Sequence, residues 1–405
     1  MTFQPFAGEI PDHVPPELVR NFPMRLGLTT TENPYTTVIP EIHRMPPVFW
    51  APDAHLGMAP AWIFRRAREQ TRIFLDTEHF SSRNLAPFSA LVGGNWKMLP
   101  LEADPPEHMR YRMLLAPLLT PKKVAAMNDR VRQHARHYID KFKDNGECEF
   151  IGEFAARFPI AVFLELFGLP IEEVEQFLIW EDNLLHEQDL DTIARAVTAV
   201  QTYIMQVVEK RRREPRDDLI SYFTHTEVDG RKPTDDEIWG TCFTLYTGGL
   251  DTVTNSLGWH FRHLASHPDH QQQLRDNPAL IVPAVEELLR AYSIATINRT
   301  CVKPVTVGGI ELREGDRVML ATPLGSNDPD AYDNPQEVRF DREPRHLAFG
   351  SGVHNCVGLR LARRELHIAI EEILGAIPSF RIKPGAEVVA NLGSVLSQQS
   401  LPLVW

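Results

Sequence analysis

Apolar residues recur every three to four positions through most of the chain after Asp104 and alternate only in short stretches, which predicts a mainly helical protein with a minor β region. The stretch before Asp104 is proline-rich, with short aromatic pieces and one helix expected near Pro60–Phe74. Asp104 as N-cap and Pro105 in the first turn predict a helix over Pro105–Leu119. Thr120-Pro121 repeats the device for a helix running to about Asp144, where Asn145-Gly146 stops it. Further helices are expected at Phe150–Phe167, Ile171–His186 and Asp191–Arg213. Thr234-Asp-Asp-Glu237 forms a capping box, and the helical pattern behind it continues to about Ser266, roughly 50 Å at 1.5 Å per residue. Shorter helices follow near Asp269–Arg275 and Ile281–Tyr292, and Arg299–Leu320 alternates as strands. A loop-rich stretch, Pro323–His346, a last long helix over Cys356–Ile377 and a tail of strands and turns, Phe380–Trp405, complete the pattern. No internal repeat or linker interrupts it, so one domain over 1–405 is expected, with a long central helix crossing it.

Composition changes this picture little: 43% hydrophobic and 24% charged residues are ordinary for a globular chain and exclude disorder or a disulfide scaffold. The net charge of −12 argues against a general nucleic-acid binder. Met1–Pro16 has no basic run followed by an apolar stretch, and Phe158–Leu169, the most apolar segment, is too short for a membrane span and carries Glu165. A cytoplasmic protein without membrane association is expected. Cys148, Cys242, Cys301 and Cys356 stand singly, which argues against structural zinc and disulfides.

Candidate chemistry concentrates at four places. Phe349-Gly-Ser-Gly-Val-His-Asn-Cys-Val-Gly358 delivers a thiol through a glycine-rich loop to the start of a helix, where amides and the helix dipole favour a thiolate. Glu287 and Arg290 lie three apart on one helical face. Gly248-Gly-Leu-Asp-Thr252 falls in the middle of the long helix. Two glycines there cost ~1 kcal/mol each against alanine, which favours an interruption, with Asp251 capping a second helix from Thr252 as the plainest form. His108 and Arg112, four apart, face one side of their helix.

The loop motif, continued by Leu359-Arg-Leu-Ala362, resembles the haem-binding signature of the cytochrome P450 family, the haem-thiolate monooxygenases. Phe349, Gly352, His354, Cys356, Gly358 and Ala362 stand at signature positions. The likeness runs from about Phe80-Ser-Ser to Ser400-Leu-Pro-Leu-Val-Trp405. It is strongest to the soluble bacterial camphor 5-monooxygenase group, through Asp104-Pro-Pro-Glu107, Gly248–Val253, Glu286–Arg290 and the C-terminal tail.

The resemblance implies a P450 fold and haem b, with Cys356 as axial iron ligand and Phe349 near the sulfur. His108, Arg112, Arg299 and His354 would serve the propionates, and Gly248 would lie at an oxygen-binding kink. Asp251 and Thr252 would form the catalytic acid–alcohol pair that brings protons to dioxygen. Glu287 and Arg290 would be structural, joined by either Arg339 or Arg342. Ile297 replaces a polar residue of close relatives.

Trp96 stands where camphor hydroxylation uses a tyrosine, so a different compact cyclic terpenoid or norisoprenoid, of camphor, cineole or ionone type, is the expected substrate. Thr244, Leu245, Thr247, Ala295 and Val395 would line its pocket. No nucleotide-binding glycine fingerprint follows a strand. Electrons are therefore expected from a separate [2Fe-2S] ferredoxin with its own NADH-dependent reductase. It would dock on a basic patch of Arg72, Arg110, Arg112, Arg363 and Arg364. A peroxide-driven haem enzyme and a haem sensor or carrier are the alternatives.

Overall fold

The computed structural model describes residues 9–55, 59–86 and 88–405. Val48–His55 (β1) and Ala59–Phe64 (β2) pair antiparallel, with Trp50 opposite Trp62. The helix expected over Pro60–Phe74 is thus a strand followed by a shorter helix, Ala67–Leu75 (α1). The reason is burial on both faces: Ala61, Trp62, Ile63 and Phe64 are all inside, so β2 shows no alternation. Phe80–Ser81 (β3) and Glu107–Leu115 (α2) follow. Asp104 does not cap α2. Its carboxylate accepts from Ser81 Oγ (2.6 Å) and from the Ser82 amide (2.8 Å) instead.

The expected helix over 120–144 is divided at Met127, the one over 150–167 opens with a wide turn at Ile151–Ala155, and Ile171–His186 resolves into Val174–Leu185 (α3) behind a short turn. Leu190–Arg213 matches expectation. Leu219–His225, capped by Asp218, is a helix that the sequence pattern did not separate from its surroundings.

The long central helix is two helices, Asp235–Gly249 (α4) and Asp251–Ser266 (α5), separated at Leu250. The capping box at Thr234 and Glu237 is formed as predicted. A row of hydroxyls donates back to carbonyls four residues earlier, Thr241 to Glu237, Thr244 to Gly240 and Thr247 to Phe243, a pattern that bends helices. Gly240 is obligatory, because a Cβ there would sit 1.9 Å from the Lys97 carbonyl oxygen.

Ile281–Ala291 (α6), Thr296–Cys301 (β4), Arg317–Ala321 (β5) and Leu359–Ala376 (α7) complete the elements around the site. The five-stranded sheet runs β1-β2-β5-β4-β3, with β2 and β5 parallel and the other pairs antiparallel. The C-terminal strands belong to two separate three-stranded sheets, one with Leu28–Thr30 and one with Glu147–Glu149, and Val305–Val307 pairs with Ile310–Leu312 as a hairpin. The main core gathers around α5, where Trp259 stacks on Tyr292 and Tyr35 meets both edge-on. No helix among the described residues is long and apolar enough to cross a membrane.

Candidate active site at the Cys356 loop

The loop before α7 is held by its own backbone. The Cys356 amide donates to the Phe349 carbonyl at 2.9 Å, and Asn355 Nδ2 donates to the carbonyls of Phe349 and Gly350. Gly352 has φ +73°, and a Cβ on it would meet the Phe74 carbonyl oxygen at 2.6 Å, so α1 and the loop touch only because no side chain intervenes. Burial pushes the Cys356 thiol up, while the Gly358 and Leu359 amides and the Arg112 and Arg363 guanidiniums pull it the other way. Arg363 stacks over the Phe349 ring at 4.5 Å and is fixed by Glu286, which also bonds His346. Those partners outweigh burial and bring the Glu286 carboxyl down to about 2.

Behind this loop, Glu287 and Arg290 are wholly buried and bonded at 2.8 Å through both guanidinium nitrogens. Arg342 supplies the third charge, at 3.0 Å from Glu287 Oε1, whereas Arg339 contributes only its backbone amide. Arg290 also donates to the carbonyls of Ser326, Pro335 and Glu337, which ties the irregular segment after β5 to α6.

A cavity of about 440 Å³ separates the loop from the break between α4 and α5. His108, Arg112, Arg299 and His354 line it, with Cys356 and Phe349 on the loop and Gly248 and Thr252 at the break facing them. The His108 and His354 rings are 4.2 Å apart, and both ring nitrogens of His108 are buried without a partner. Burial, then Arg299, His108 and Arg112, hold His354 down at about 3, and burial lowers Arg299 to about 10. His354 Nε2 meets Ser82 Oγ at 3.1 Å, and Ser82 is in turn fixed by Asp104. Two arginines and two imidazoles crowded at the side of an otherwise apolar cavity call for anionic partners. The two propionates of a haem would fit that donor set, with Cys356 as the residue that would hold its iron.

Across the cavity, Thr252 Oγ1 donates to the Gly248 carbonyl at 2.8 Å, so its oxygen keeps lone pairs free to accept. Asp251 is buried at the first residue of α5 and receives Asn255 Nδ2 at 2.6 Å. Its Oδ1 also meets His186 Nε2 at 3.1 Å.

Thr244, Leu245, Thr247 and Ala295 lie in the cavity wall, and so does Ile297, which adds apolar surface beside Arg299. Trp96 and Val395 do not line it. Trp96 packs edge-on against Trp239 (5.3 Å) and Phe243 (5.2 Å), its N–H buried without a partner, and Val395 sits behind the wall in a backbone bridge to Ala295. A tryptophan fits the aromatic cluster on α4 better than the cavity because its large ring is buried there on every side. Phe163, Leu166 and Phe167, unsuspected from sequence, supply the opposite apolar surface.

Of the basic patch, Arg72 is exposed on α1 and Arg364 bonds Asn128, whereas Arg110 pairs with Asp229 at 2.8 Å. Arg112 lines the cavity, so it belongs with the propionate-facing donors more than with the surface. Leu75, Met109 and Met113 are exposed on α1 and α2 beside these arginines.

The sequence matches the cytochrome P450 family over residues 51–392. It is similar to the probable cytochrome P450 127A1 of Sinorhizobium fredii, at 36% identity over 405 residues that cover 98% of this chain and 97% of that one. Among solved structures it resembles CYP101C1 with a TM-score of 0.89 and 32% identity, over 98% of this chain and 100% of that one. It also resembles CYP101J2, with 0.87 and 32%, over 98% and 99%. With the family match spanning most of the chain, what the Cys356 loop implied becomes a conclusion: the chain belongs to the cytochrome P450 family, and is a monooxygenase of bacterial type that works with haem b.

Proposed function

We propose that this P450 hydroxylates a compact cyclic terpenoid or norisoprenoid and draws its electrons from a small [2Fe-2S] ferredoxin served by a separate NADH-dependent reductase. The observation that carries the substrate class is the wall itself. Thr244, Thr247, Thr252 and Ser256 direct their hydroxyl hydrogens into their own helices, and Phe163, Leu166, Phe167, Leu245 and Ala295 make much of the remaining surface apolar. Such a wall offers a ligand shape and few donors, which suits a rigid, mostly hydrocarbon skeleton whose one ether or carbonyl oxygen needs no strong hydrogen bond to be held. The thiolate-bound haem supplies the oxidising chemistry when dioxygen and electrons reach it.

The chain's own residues do the rest. Cys356 would hold the iron; His108, Arg112, Arg299 and His354 would hold the propionates; Asp251 passes protons inward, and Thr252, its own hydrogen given to the Gly248 carbonyl, presents a hydroxyl oxygen that can accept a hydrogen bond at the cavity face. That acid–alcohol pair favours dioxygen over peroxide as oxidant. The arginines among exposed apolar residues on α1 and α2 make a local basic face in a chain of net charge −12, and that local face supports an acidic partner there.

A spectral titration tests the substrate class. Cineole, camphor and ionones are expected to shift the Soret band of the holoenzyme to the high-spin position, while macrolides and steroids leave it in place. A stronger shift with the larger compounds would overturn the assignment.

A further inference from the structure

The relay just proposed ends at Asp251, which is buried, and the structure shows what lies outside it. His186 stands immediately after α3 with 42% of its side chain exposed. Its Nε2 faces Asp251 Oδ1 at 3.1 Å and its Nδ1 faces Asp182 Oδ1 at 3.1 Å. One imidazole therefore bridges a surface carboxylate and a buried one, and ties the end of α3 to the first residue of α5, at the break beside Thr252. Five residues back, Glu181 is 5% exposed, and its Oε1 is buried with no partner. The remaining polar groups here are Asn255, which donates to Asp251, and Tyr246, whose hydroxyl donates to the Phe177 carbonyl at 3.2 Å.

We infer that His186 is the residue that loads Asp251 with protons and positions it, and that Glu181 holds a second proton in the same cluster. This rests on the reading of Asp251 and Thr252 as the inner relay.

Charge balance supports it. Two buried carboxyls facing a single imidazole cannot both be ionised at reasonable cost; the balanced state is imidazolium, one carboxylate and one neutral acid. Burial, and then the charge of Asp251, push Glu181 well above the usual carboxylate range. Burial alone would lower His186, but its bonds to Asp251 and Asp182 and the charges of Asp251 and Glu181 raise it to about 9. His186, through its ion pairs, and Glu181, through burial, are thus the two groups of the cluster that favour their protonated forms.

In the transfer step the Nε2–H bond of His186 breaks and an O–H bond forms at Asp251 Oδ1. The imidazole is left neutral with its remaining hydrogen toward Asp182, and a proton held on Glu181 keeps that buried carboxyl from competing with Asp251 for charge. The sign of the pH dependence follows. His186 is raised, so its protonated form and the bond to Asp251 persist at neutral pH and are lost as pH rises through about 9.

The experiment measures product formed per NADH consumed by the holoenzyme with a surrogate ferredoxin and reductase, using the terpenoid that gives the largest Soret shift. The wild-type ratio should fall as pH rises through about 9. His186→Arg keeps the ion pair but holds its proton throughout, so the ratio at neutral pH should drop about fivefold and the alkaline fall should vanish. Glu181→Gln keeps volume and neutrality but removes the stored proton, and should cost about twofold.

A second readout does not depend on turnover. In the ferrous carbonyl form with ¹³C-labelled histidine, the His186 resonance should titrate well above the ordinary imidazole range and return toward it in Asp251→Asn. Full coupling in His186→Arg would make the residue a plain structural latch and overturn the proposal, as would an ordinary titration midpoint for His186. Full coupling in Asp251→Asn would remove the inner relay instead, and the resonance would still report whether the His186–Asp251 pair exists.

Discussion

Behind Cys356, Glu287 and Arg290 are wholly buried, each charged group has several partners, and a loop with two left-handed glycines is pinned between α1 and α7. Across the cavity, Gly248–Thr252 interrupts a helix, its acid is bonded to a partly exposed histidine, and its alcohol makes a single bond within its own helical turn. The first wall is built to keep one sulfur in one place. The second, on the relay proposed above, must let groups exchange protons, and exchange requires hydrogen bonds that can be made and broken. Buried ion pairs with complete hydrogen bonding are costly to disturb, so they suit the first task and would obstruct the second.

Substitutions can break this contrast at several strengths. Cys356→His should abolish the long-wavelength carbonyl band that thiolate ligation gives to the reduced enzyme. Cys148→Ala, at a buried cysteine pushed up to about 12 by burial, should keep it. A persistent band in Cys356→His would separate the loop from the metal altogether.

Next in size, Arg290→Met leaves Glu287 in the core with half its partners gone. A loss of ~3–5 kcal/mol in chemical denaturation is expected, with poor haem retention. A loss no larger than a surface pair gives would show that the proximal wall owes its rigidity to the loop backbone alone.

Thr252→Ala acts on the soft wall. Stability should change by less than about 1 kcal/mol, and NADH consumption should continue while hydrogen peroxide replaces most of the product. Wild-type coupling in this variant would refute the role given to the interrupted helix.

The smallest effect is expected at the surface. Arg72→Glu and Arg364→Glu should slow reduction by an acidic ferredoxin several-fold at low salt and less at high salt. Arg110→Glu should do less than either, since Asp229 already neutralises it. Stopped-flow reduction over a salt series ranks the three, and equal indifference of all three would place the docking face elsewhere.

The same contrast explains what could be read from sequence. The rigid wall was legible because its chemistry is written contiguously: Phe349 to Gly358 is one run, and Glu287 and Arg290 share a helical turn. Only the choice between Arg339 and Arg342 had to wait, because it depends on how the segment after β5 folds back on α6. The soft wall was half legible. The glycine pair signalled a break, but His186 lies 65 residues from Asp251 and nothing local marks it. Trp96 was placed by resemblance, and its neighbours on α4 show why that failed: a ring that buries itself against Trp239 and Phe243 is no longer available to a ligand. The strand at Ala59–Phe64 was misread because complete burial erases alternation, and Asp104 because its oxygens serve Ser81 and Ser82 rather than a helix start.

The back-bonded threonines of α4 have a consequence for how such an enzyme changes over generations. A hydroxyl already satisfied by its own helix can be exchanged for a methyl, or a methyl for hydrogen, without leaving the ligand or the fold short of a partner. Thr244 and Thr247 are therefore positions where the cavity can alter its volume in single steps that selection on stability scarcely sees. A lineage carrying this wall can drift from one apolar ligand shape to another before any new polar contact has to be invented.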